Sequence, residues 1–220
     1  MSAKRIVVVS AGLSVPSSTR LLADMLGEAT EHAVRARGEE VEVSYVELRP
    51  LAHALADHLL TGFATGELKT AIDQVAHAEG VIAVTPVFSA SYSGLFKTFF
   101  DVLEVGALDG TPVLVAATAG TARHSLVLEH ALRPLFAYLH AVVVPTGVFA
   151  ASEDFGGAGG QGSGELRKRV DRAAAELAAL VSGPGAAPAA PRRRLVEEEF
   201  EAPTDFEELL RRASDGPPEY

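Results

Sequence analysis

The sequence predicts an α/β fold in which a doubly wound, five-stranded parallel sheet carries helices on both faces. Short β-branched runs recur along the chain, with helical patterns between them. Most of these runs are apolar at nearly every position, as expected of strands that are covered on both faces. The chain has 220 residues, of which 48% are hydrophobic, so it can bury the core of one large α/β domain.

The predicted strands follow in chain order. They are Arg5–Ser10, Val41–Leu48, Gly80–Thr85, Thr111–Thr118 and His140–Pro145. The second run alternates polar and apolar residues, which is typical of an edge strand. A parallel sheet whose edge strand comes second in sequence fits the flavodoxin-like strand order 2-1-3-4-5.

Helices are predicted between these strands from the spacing of apolar residues. After the first strand, Leu22, Met25, Leu26 and Ala29 recur at helical spacing, and Gly38 provides a stop before the second strand. The later helices are predicted over Leu51–Leu60, Glu67–Ala78, Ser93–Glu104, His124–Tyr138 and Gly164–Val181.

Two stretches lie outside this alternation. Gly156–Gly164 is a glycine-rich loop by composition, and Ser182–Arg194 is a linker rich in proline and alanine. We therefore expect one domain over residues 1–182 and a tail over residues 183–220. From Arg192 onward the tail has five arginines and nine carboxylates. It is expected to be acidic, with one short helix that presents Phe206, Leu209 and Leu210.

Charge and composition exclude several functions. The formal net charge of −10 argues against binding to nucleic acid or to an anionic membrane surface. The absence of cysteine excludes thiolate catalysis and disulfides. No apolar stretch reaches the roughly 18 to 20 residues that span a bilayer, and the N-terminus has the pattern of a strand and not of a signal peptide. We expect a cytoplasmic protein.

Two motif-like features are discounted. Gly157–Gly162 matches the G-x-G-x-x-G pattern, but it lies beyond the fifth strand, whereas a dinucleotide fingerprint needs the first turn from strand to helix. The seven histidines are scattered and none forms an H-E-x-x-H pair, so no metal site is expected.

Hydroxyl side chains crowd the first strand-to-helix turn. In this strand order ligands bind at the switch point between the first and third strands. Ser14, Ser17, Ser18 and Thr19 lie at the start of the predicted helix, where backbone N–H groups and the helix dipole favour an anion. A monophosphate fits best, because the Gly-Lys-Ser/Thr end of a P-loop is missing. The alternative is that Ser17 or Ser18 only caps the helix, and Arg20 either assists the phosphate or is solvated.

Two further turns meet the same edge of the sheet. Pro86 is expected to end the third strand, because it cannot donate to the sheet ladder. The backbone N–H groups of Val87, Phe88 and Ser89 are then free for a planar heterocycle beside the Phe88 ring. The turn that begins at Thr118 lies next along the sheet. Nothing in the sequence stands out as a nucleophile system, so no catalytic side chain is assigned.

Three blocks of sequence resemble a known family. They are SAGLSVPSSTRLLADML, TPVFSASYSGLFKTFFDVL and ATAGTARHSLVLEHALRPLFAYLHAVVVP. In order and spacing, over roughly Arg5 to Val181, they resemble the NADPH-dependent FMN reductase family. The second block is the most specific, because it is similar to the Pro-x-Tyr and Pro-Gly-x-x-Lys of that family. Flavin reductases paired with luciferase-like monooxygenases also carry a tail similar to FEELL at Phe206–Leu210.

The resemblance implies a set of contacts to FMN. The phosphate contacts are Ser14, Ser17, Ser18 and Thr19, the isoalloxazine contacts are Pro86, Val87, Phe88 and Ser89, and the residues that border the ring system are Thr118, Ala119 and Gly120. Hydride transfer from NADPH or NADH to FMN is carried by the cofactors, so the absence of a catalytic triad is expected.

This sequence departs from the family pattern at four positions. Gly12 and Ser14 stand where many relatives have serine and arginine, so phosphate affinity is expected to be weaker, with FMN behaving as a substrate that leaves. Phe88 replaces the usual tyrosine and Ser93 the usual proline, and both changes are mild.

Three functions remain open at this point. The favoured one is an NAD(P)H-dependent FMN reductase that supplies reduced flavin to a partner monooxygenase. The second is a reductase with bound FMN that acts on quinones, azo dyes or metal oxyanions. The third is a non-enzymatic flavodoxin-like electron carrier or a flavin-binding regulatory module. The motif SVPSST, in place of T-x-T-G-x-T, favours a reductase. The resemblance also implies a homodimer or homotetramer.

Overall fold

A seven-stranded sheet runs through the computed structural model, which describes residues 3–155 and 161–183. The strands are β1 Lys4–Ser10, β2 Val41–Glu47, β3 Gly80–Phe88, β4 Ser91–Tyr92, β5 Pro112–Ala119, β6 Val142–Val143 and β7 Val148–Ala151. The order is β2-β1-β3-β5-β6, with β7 also beside β5, and these pairs are all parallel. The flavodoxin-like order and the edge position of β2 are therefore confirmed. The short β4 forms an antiparallel hairpin with β3.

The last position of the sheet differs from the prediction. In place of one strand over His140–Pro145, two short strands, β6 and β7, lie beside β5 with a break between them. Pro145 has no N–H to donate within the break. The N–H and the hydroxyl of Thr146 both donate to the Glu176 carboxylate, each at 2.7 Å. The break is thus stabilised by a helix on the face of the sheet.

Helices cover both faces of the sheet. They are α1 Ser18–Arg35, α2 Ala52–Thr61, α3 Gly66–Ala76, α4 Gly94–Asp101, α5 Arg133–Tyr138, α6 Ser152–Phe155 and α7 Gln161–Ser182. The helix predicted over His124–Tyr138 is divided into a 3₁₀ turn at Ala122–His124, a π-helical turn at Leu128–Leu132 and α5. Pro134 lies at the start of α5 and cannot donate to the preceding turn. None of the described helices is both long enough and apolar enough to span a bilayer.

The core has two halves, one on each face of the sheet. Ile6 and Val8 of β1 pack with α1 and α7, while Val7 and Val9 face the opposite half. That second half includes four buried phenylalanines, which are Phe96, Phe99, Phe100 and Phe136. Because both faces of β1 are covered, its residues are apolar without alternation.

The predicted tail and most of the glycine-rich loop lie outside the described residues. The tail from residue 184 onward, with Phe206–Leu210, is among them, as is most of Gly157–Gly162. The proposed domain boundary at residue 182 stays a prediction.

Candidate functional site

The carboxyl ends of β1 and β3 separate at the predicted switch point. Their pairing ends at Ser10 and Val84, followed by one bond from the Ala11 N–H to the Val84 carbonyl at 3.0 Å. Beyond the end of its pairing with β1, β3 stays paired with β5 as far as Pro86 and then pairs with β4 at Val87 and Phe88. The resulting opening lies between the β1–α1 loop and the β3–β4 hairpin, which is where ligands bind in folds of this type.

The β1–α1 loop packs closely on itself at Gly12, and most of its backbone N–H groups have no acceptor within the described part of the chain. A Cβ atom placed on Gly12 would lie 2.2 Å from Ser17 Oγ. Ser17 caps α1, because its Oγ accepts the N–H of Arg20 at 3.2 Å. Among the described residues, no acceptor is found for the backbone N–H groups from Gly12 to Val15 and from Ser17 to Thr19, and Pro16 between them has no N–H. Free N–H groups at the start of a helix suit an anion such as phosphate.

The four hydroxyl side chains predicted to meet a phosphate differ in placement. Ser14 and Ser18 are exposed, and Ser17 is half-buried at the cap. Thr19 is only 3% exposed, and its Oγ1 lies 2.8 Å from Oγ1 of Thr118. The Thr19 hydroxyl is therefore used within the protein, and its backbone N–H is the donor that stays available.

The side chain of Arg20 extends toward β2. Its Nε donates to Asp24 Oδ1 at 2.7 Å, and its Nη1 is paired with Glu47. Its Cζ lies 4.9 Å from the centroid of the Tyr45 ring. The guanidinium is thus ion-paired while still partly exposed, and its contact with a phosphate stays a prediction.

The third strand continues past Pro86, so the expectation that this residue ends it was wrong. Pro86 stands in register with Thr118 of β5, and the next two residues pair with β4. Proline is tolerated here because β1 has already ended, which leaves that side of β3 without a neighbour. The Phe88 side chain is 48% exposed and lies at the surface of the hairpin.

The turn of the β3–β4 hairpin has unusual backbone angles. Ser89 and Ala90 have φ values of 48° and 66°, although neither is glycine. The buried Thr85 fastens the hairpin, because its Oγ1 donates to the Pro86 carbonyl at 2.9 Å and accepts the Ser93 N–H at 3.0 Å. Sequence reasoning missed Thr85, which was detectable as a polar residue at the end of an apolar strand.

The end of β5 borders the same opening. Thr118 is buried, Ala119 is half-buried and Gly120 is exposed. Together the three segments offer free backbone donors, an exposed aromatic ring and small residues at one edge of the sheet. No charged residue lies in the β1–α1 loop. This combination fits a planar ligand that carries a phosphate.

Proteins similar to this chain over most of its length are known. The family described as NADPH-dependent FMN reductase matches residues 4–156. The chain is 38% identical over 153 residues to an FMN reductase (NADPH) of Pseudomonas aeruginosa, which covers 69% of this chain and 78% of that protein. It is 38% identical over 180 residues to the NADH-dependent FMN reductase SfnF of Pseudomonas fluorescens, which covers 81% and 92%.

Solved structures are similar as well. An oxidoreductase from Corynebacterium diphtheriae has a TM-score of 0.78 at 52% identity, covering 82% of this chain and 98% of that one. The apo form of an NADH:FMN oxidoreductase (EMOB) has a TM-score of 0.64 at 31% identity, covering 77% and 87%. A flavodoxin, WrbA-like protein from Agrobacterium tumefaciens, with a TM-score of 0.58 at 15% identity, shows the shared fold alone.

Proposed function

Because the chain belongs to the NADPH-dependent FMN reductase family, we propose that it reduces FMN with NAD(P)H at the opening between the β1–α1 loop and the β3–β4 hairpin. The observation that carries the location is the set of backbone N–H groups between Gly12 and Thr19, all but that of the proline Pro16, that have no acceptor among the described residues. They lie at the switch point, where the strand order reverses.

The β1–α1 loop holds the phosphate of FMN in this proposal. Its backbone N–H groups donate to the phosphate oxygens, and the hydroxyls of Ser14 and Ser18 are exposed and able to do the same. The start of α1 adds the positive end of the helix dipole. Ser17 supports the site chiefly as the cap, because its Oγ already accepts the Arg20 N–H.

The β3–β4 hairpin and the end of β5 hold the ring system. Pro86, Val87, Phe88 and Ser89 provide backbone and one aromatic side chain, and Ala119 and Gly120 leave room for a flat group beside them. Thr118 is buried beneath this surface, and its hydroxyl supports the site through the hydrogen bond to Thr19. Bound FMN would supply the chemistry that accepts a hydride from the nicotinamide, so the chain contributes the binding and orientation of the ring.

A partner monooxygenase is the proposed destination of the reduced flavin. The support is twofold: the site is open at the surface around Phe88, and the tail at Phe206–Leu210 resembles that of reductases paired with such oxygenases. The protein is then expected to work in the cytoplasm, where NAD(P)H is available.

A homodimer or homotetramer is the proposed assembly. Large apolar side chains in the segment between β5 and β6 are exposed, with Leu126 at 63% and Tyr138 at 82%. Exposed apolar groups of this kind are typical of an interface between protein subunits. Sedimentation velocity of the full chain tests this, because a monomer at all concentrations would contradict it.

The experiment that tests the function is a flavin titration combined with a turnover assay. We expect nearly colourless protein whose NADPH or NADH oxidation saturates with added FMN. Riboflavin is the matched control, because it has the same ring and no phosphate. Yellow protein that oxidises NAD(P)H only with a quinone or dye would favour the reductase with bound FMN, and FMN binding without turnover would favour an electron carrier.

A further inference from the structure

Arg20 directly follows the proposed phosphate loop, and its side chain is paired with groups outside that loop. It lies in the first turn of α1, where its backbone N–H is bonded to the cap residue Ser17. Its side chain runs to Asp24 one turn later on α1 and to Glu47 at the end of β2. Glu47 is itself in register with Ser10, the last residue of β1. We name Arg20, Asp24 and Glu47 the Arg20 clamp.

The Arg20 clamp reverses the charge next to the loop. Residues 12–19 contain no charged side chain, so Arg20 is the first cation that follows the loop in sequence. Two carboxylates bind this single guanidinium, which gives the clamp a formal charge of −1. A phosphate in the loop therefore meets a net negative group, and the Coulomb energy between them is unfavourable.

Stability does not explain two carboxylates on one arginine. The side chains of Arg20, Asp24 and Glu47 are 36%, 38% and 51% exposed. Exposed ion pairs contribute little to folding, typically about 0 to 1 kcal/mol. Folding therefore gains little from the second carboxylate on Arg20.

The ring of Tyr45 fixes the guanidinium on a third side. The Cζ of Arg20 lies 4.9 Å from the ring centroid, which is cation–π distance. The ring itself is fixed against α1, because its Oη occupies the space at Gly27, where an added Cβ would lie 2.2 Å away. The guanidinium thus has two ionic partners, one on α1 and one on β2, and one aromatic partner on β2.

We propose that Asp24 and Glu47 set the affinity for FMN by holding and neutralising Arg20, so that the phosphate is bound by N–H and hydroxyl groups alone. This inference rests on the proposed function and predicts that FMN is held weakly enough to be released. The two carboxylates are affinity-determining residues that act through Arg20.

The test measures the dissociation constants of FMN and riboflavin by flavin fluorescence on the full chain. In Asp24→Asn and Glu47→Gln, FMN should bind about threefold to tenfold more tightly at low salt, while riboflavin should bind as in the wild type. The gain should shrink at high salt, because salt screens the charge of Arg20. Adding Arg20→Gln to Glu47→Gln should abolish the gain.

The matched control is Glu31→Gln, which breaks the pair with Arg35 at 2.6 Å further along the same helix. It should leave the FMN dissociation constant unchanged. Unchanged or weaker FMN binding in the Asp24 and Glu47 variants overturns the inference, as does a gain that persists without Arg20. If the wild type reduces FMN but the variants do not bind FMN more tightly, only this inference is wrong. If the wild type binds no flavin, the proposed function is wrong as well.

Discussion

Thr19 and Thr118 share a hydrogen bond of 2.8 Å between their side-chain oxygens, although 99 residues separate them in sequence. Thr19 lies in the first turn of α1 and Thr118 near the end of β5, and each is 3% exposed. The bond ties the proposed phosphate loop to the segment that borders the proposed ring site. This pair of hydroxyls therefore joins the loop directly to the end of β5.

Removing only one of these two hydroxyls should lower the free energy of unfolding by more than half of what removing both does. Thr19→Val or Thr118→Val leaves the other hydroxyl buried without a partner, which costs about 1 to 3 kcal/mol. The double variant should cost less than the sum of the single ones, as measured by urea unfolding. Thr70→Val, on the exposed side of α3, is the control and should change stability by less than about 0.5 kcal/mol. If the losses of the two single variants simply add in the double variant, the two hydroxyls do not interact.

Gly12→Ala should weaken FMN binding by roughly tenfold, because the new Cβ would lie 2.2 Å from Ser17 Oγ and displace the hydroxyl that caps α1. A 1 Å displacement of donors is enough to lose hydrogen bonds to a phosphate. Fluorescence titration with FMN measures the effect. Gly164→Ala is the control, since a Cβ there meets nothing within 4 Å and should leave the dissociation constant unchanged. Wild-type affinity in Gly12→Ala would argue against the loop as the phosphate site.

Ala90→Gly should stabilise the protein by about 0.5 to 1 kcal/mol. Ala90 has a φ of 66°, a conformation that costs an L residue roughly 1 to 2 kcal/mol and glycine much less. The midpoint of thermal unfolding reports the change. Ala56→Gly, at an exposed position of α2, should instead destabilise by about 1 kcal/mol. Equal destabilisation at both positions would show that the turn is unstrained.

Glu176→Ala should destabilise the break between β6 and β7. The Glu176 carboxylate accepts both the N–H and the hydroxyl of Thr146 at 2.7 Å, and hydrogen bonds to charged groups contribute about 1.5 to 3 kcal/mol. Hydrogen exchange in β7 should quicken together with the loss in urea stability. Glu40→Ala, with an exposed side chain, controls for the removal of a carboxylate. If Glu176→Ala is as stable as Glu40→Ala, the Glu176 carboxylate does not stabilise the break.

Tyr45 should make the protein lose stability at alkaline pH. Burial raises the pKa of its hydroxyl above the ordinary 10.0, with Asp24 adding to the increase, Arg20 opposing it, and Glu28 and Glu31 adding further. The folded state thus holds this proton more tightly than the unfolded chain does. Its contribution is complete below pH 10.0 and is lost as the pH rises from there through the folded pKa.

The measurement is the difference in unfolding midpoint between the wild type and Tyr45→Phe over about pH 9 to 11. The unfolding midpoint of the wild type should fall relative to that of Tyr45→Phe as the pH rises, because phenylalanine has no proton to lose. Other titrating groups cancel in the comparison. A difference that is constant with pH would show that Tyr45 has the same pKa in both states.

Local patterns in the sequence were sufficient for some of these features. The apolar run of β1 followed by Ser17 predicted a strand, a cap and a helix, and the alternation in β2 predicted its edge position. Both features depend on neighbours a few residues away. The same reasoning failed at Pro86 and in the fifth strand. There the outcome depended on where β1 ends and on Glu176, which lies 30 residues beyond Thr146.

The sequence by itself determined the fold class, the strand order and the three turns that meet at the switch point, because hydrophobic periodicity and turn residues act locally. The tertiary structure alone decided which polar groups in those turns remain free for a ligand. Thr19 is bonded to Thr118 and Arg20 to Glu47, across 99 and 27 residues. A hydrogen bond needs its two atoms within about 3 Å, and for residues so far apart in sequence only the packing of α1 on the sheet sets that distance.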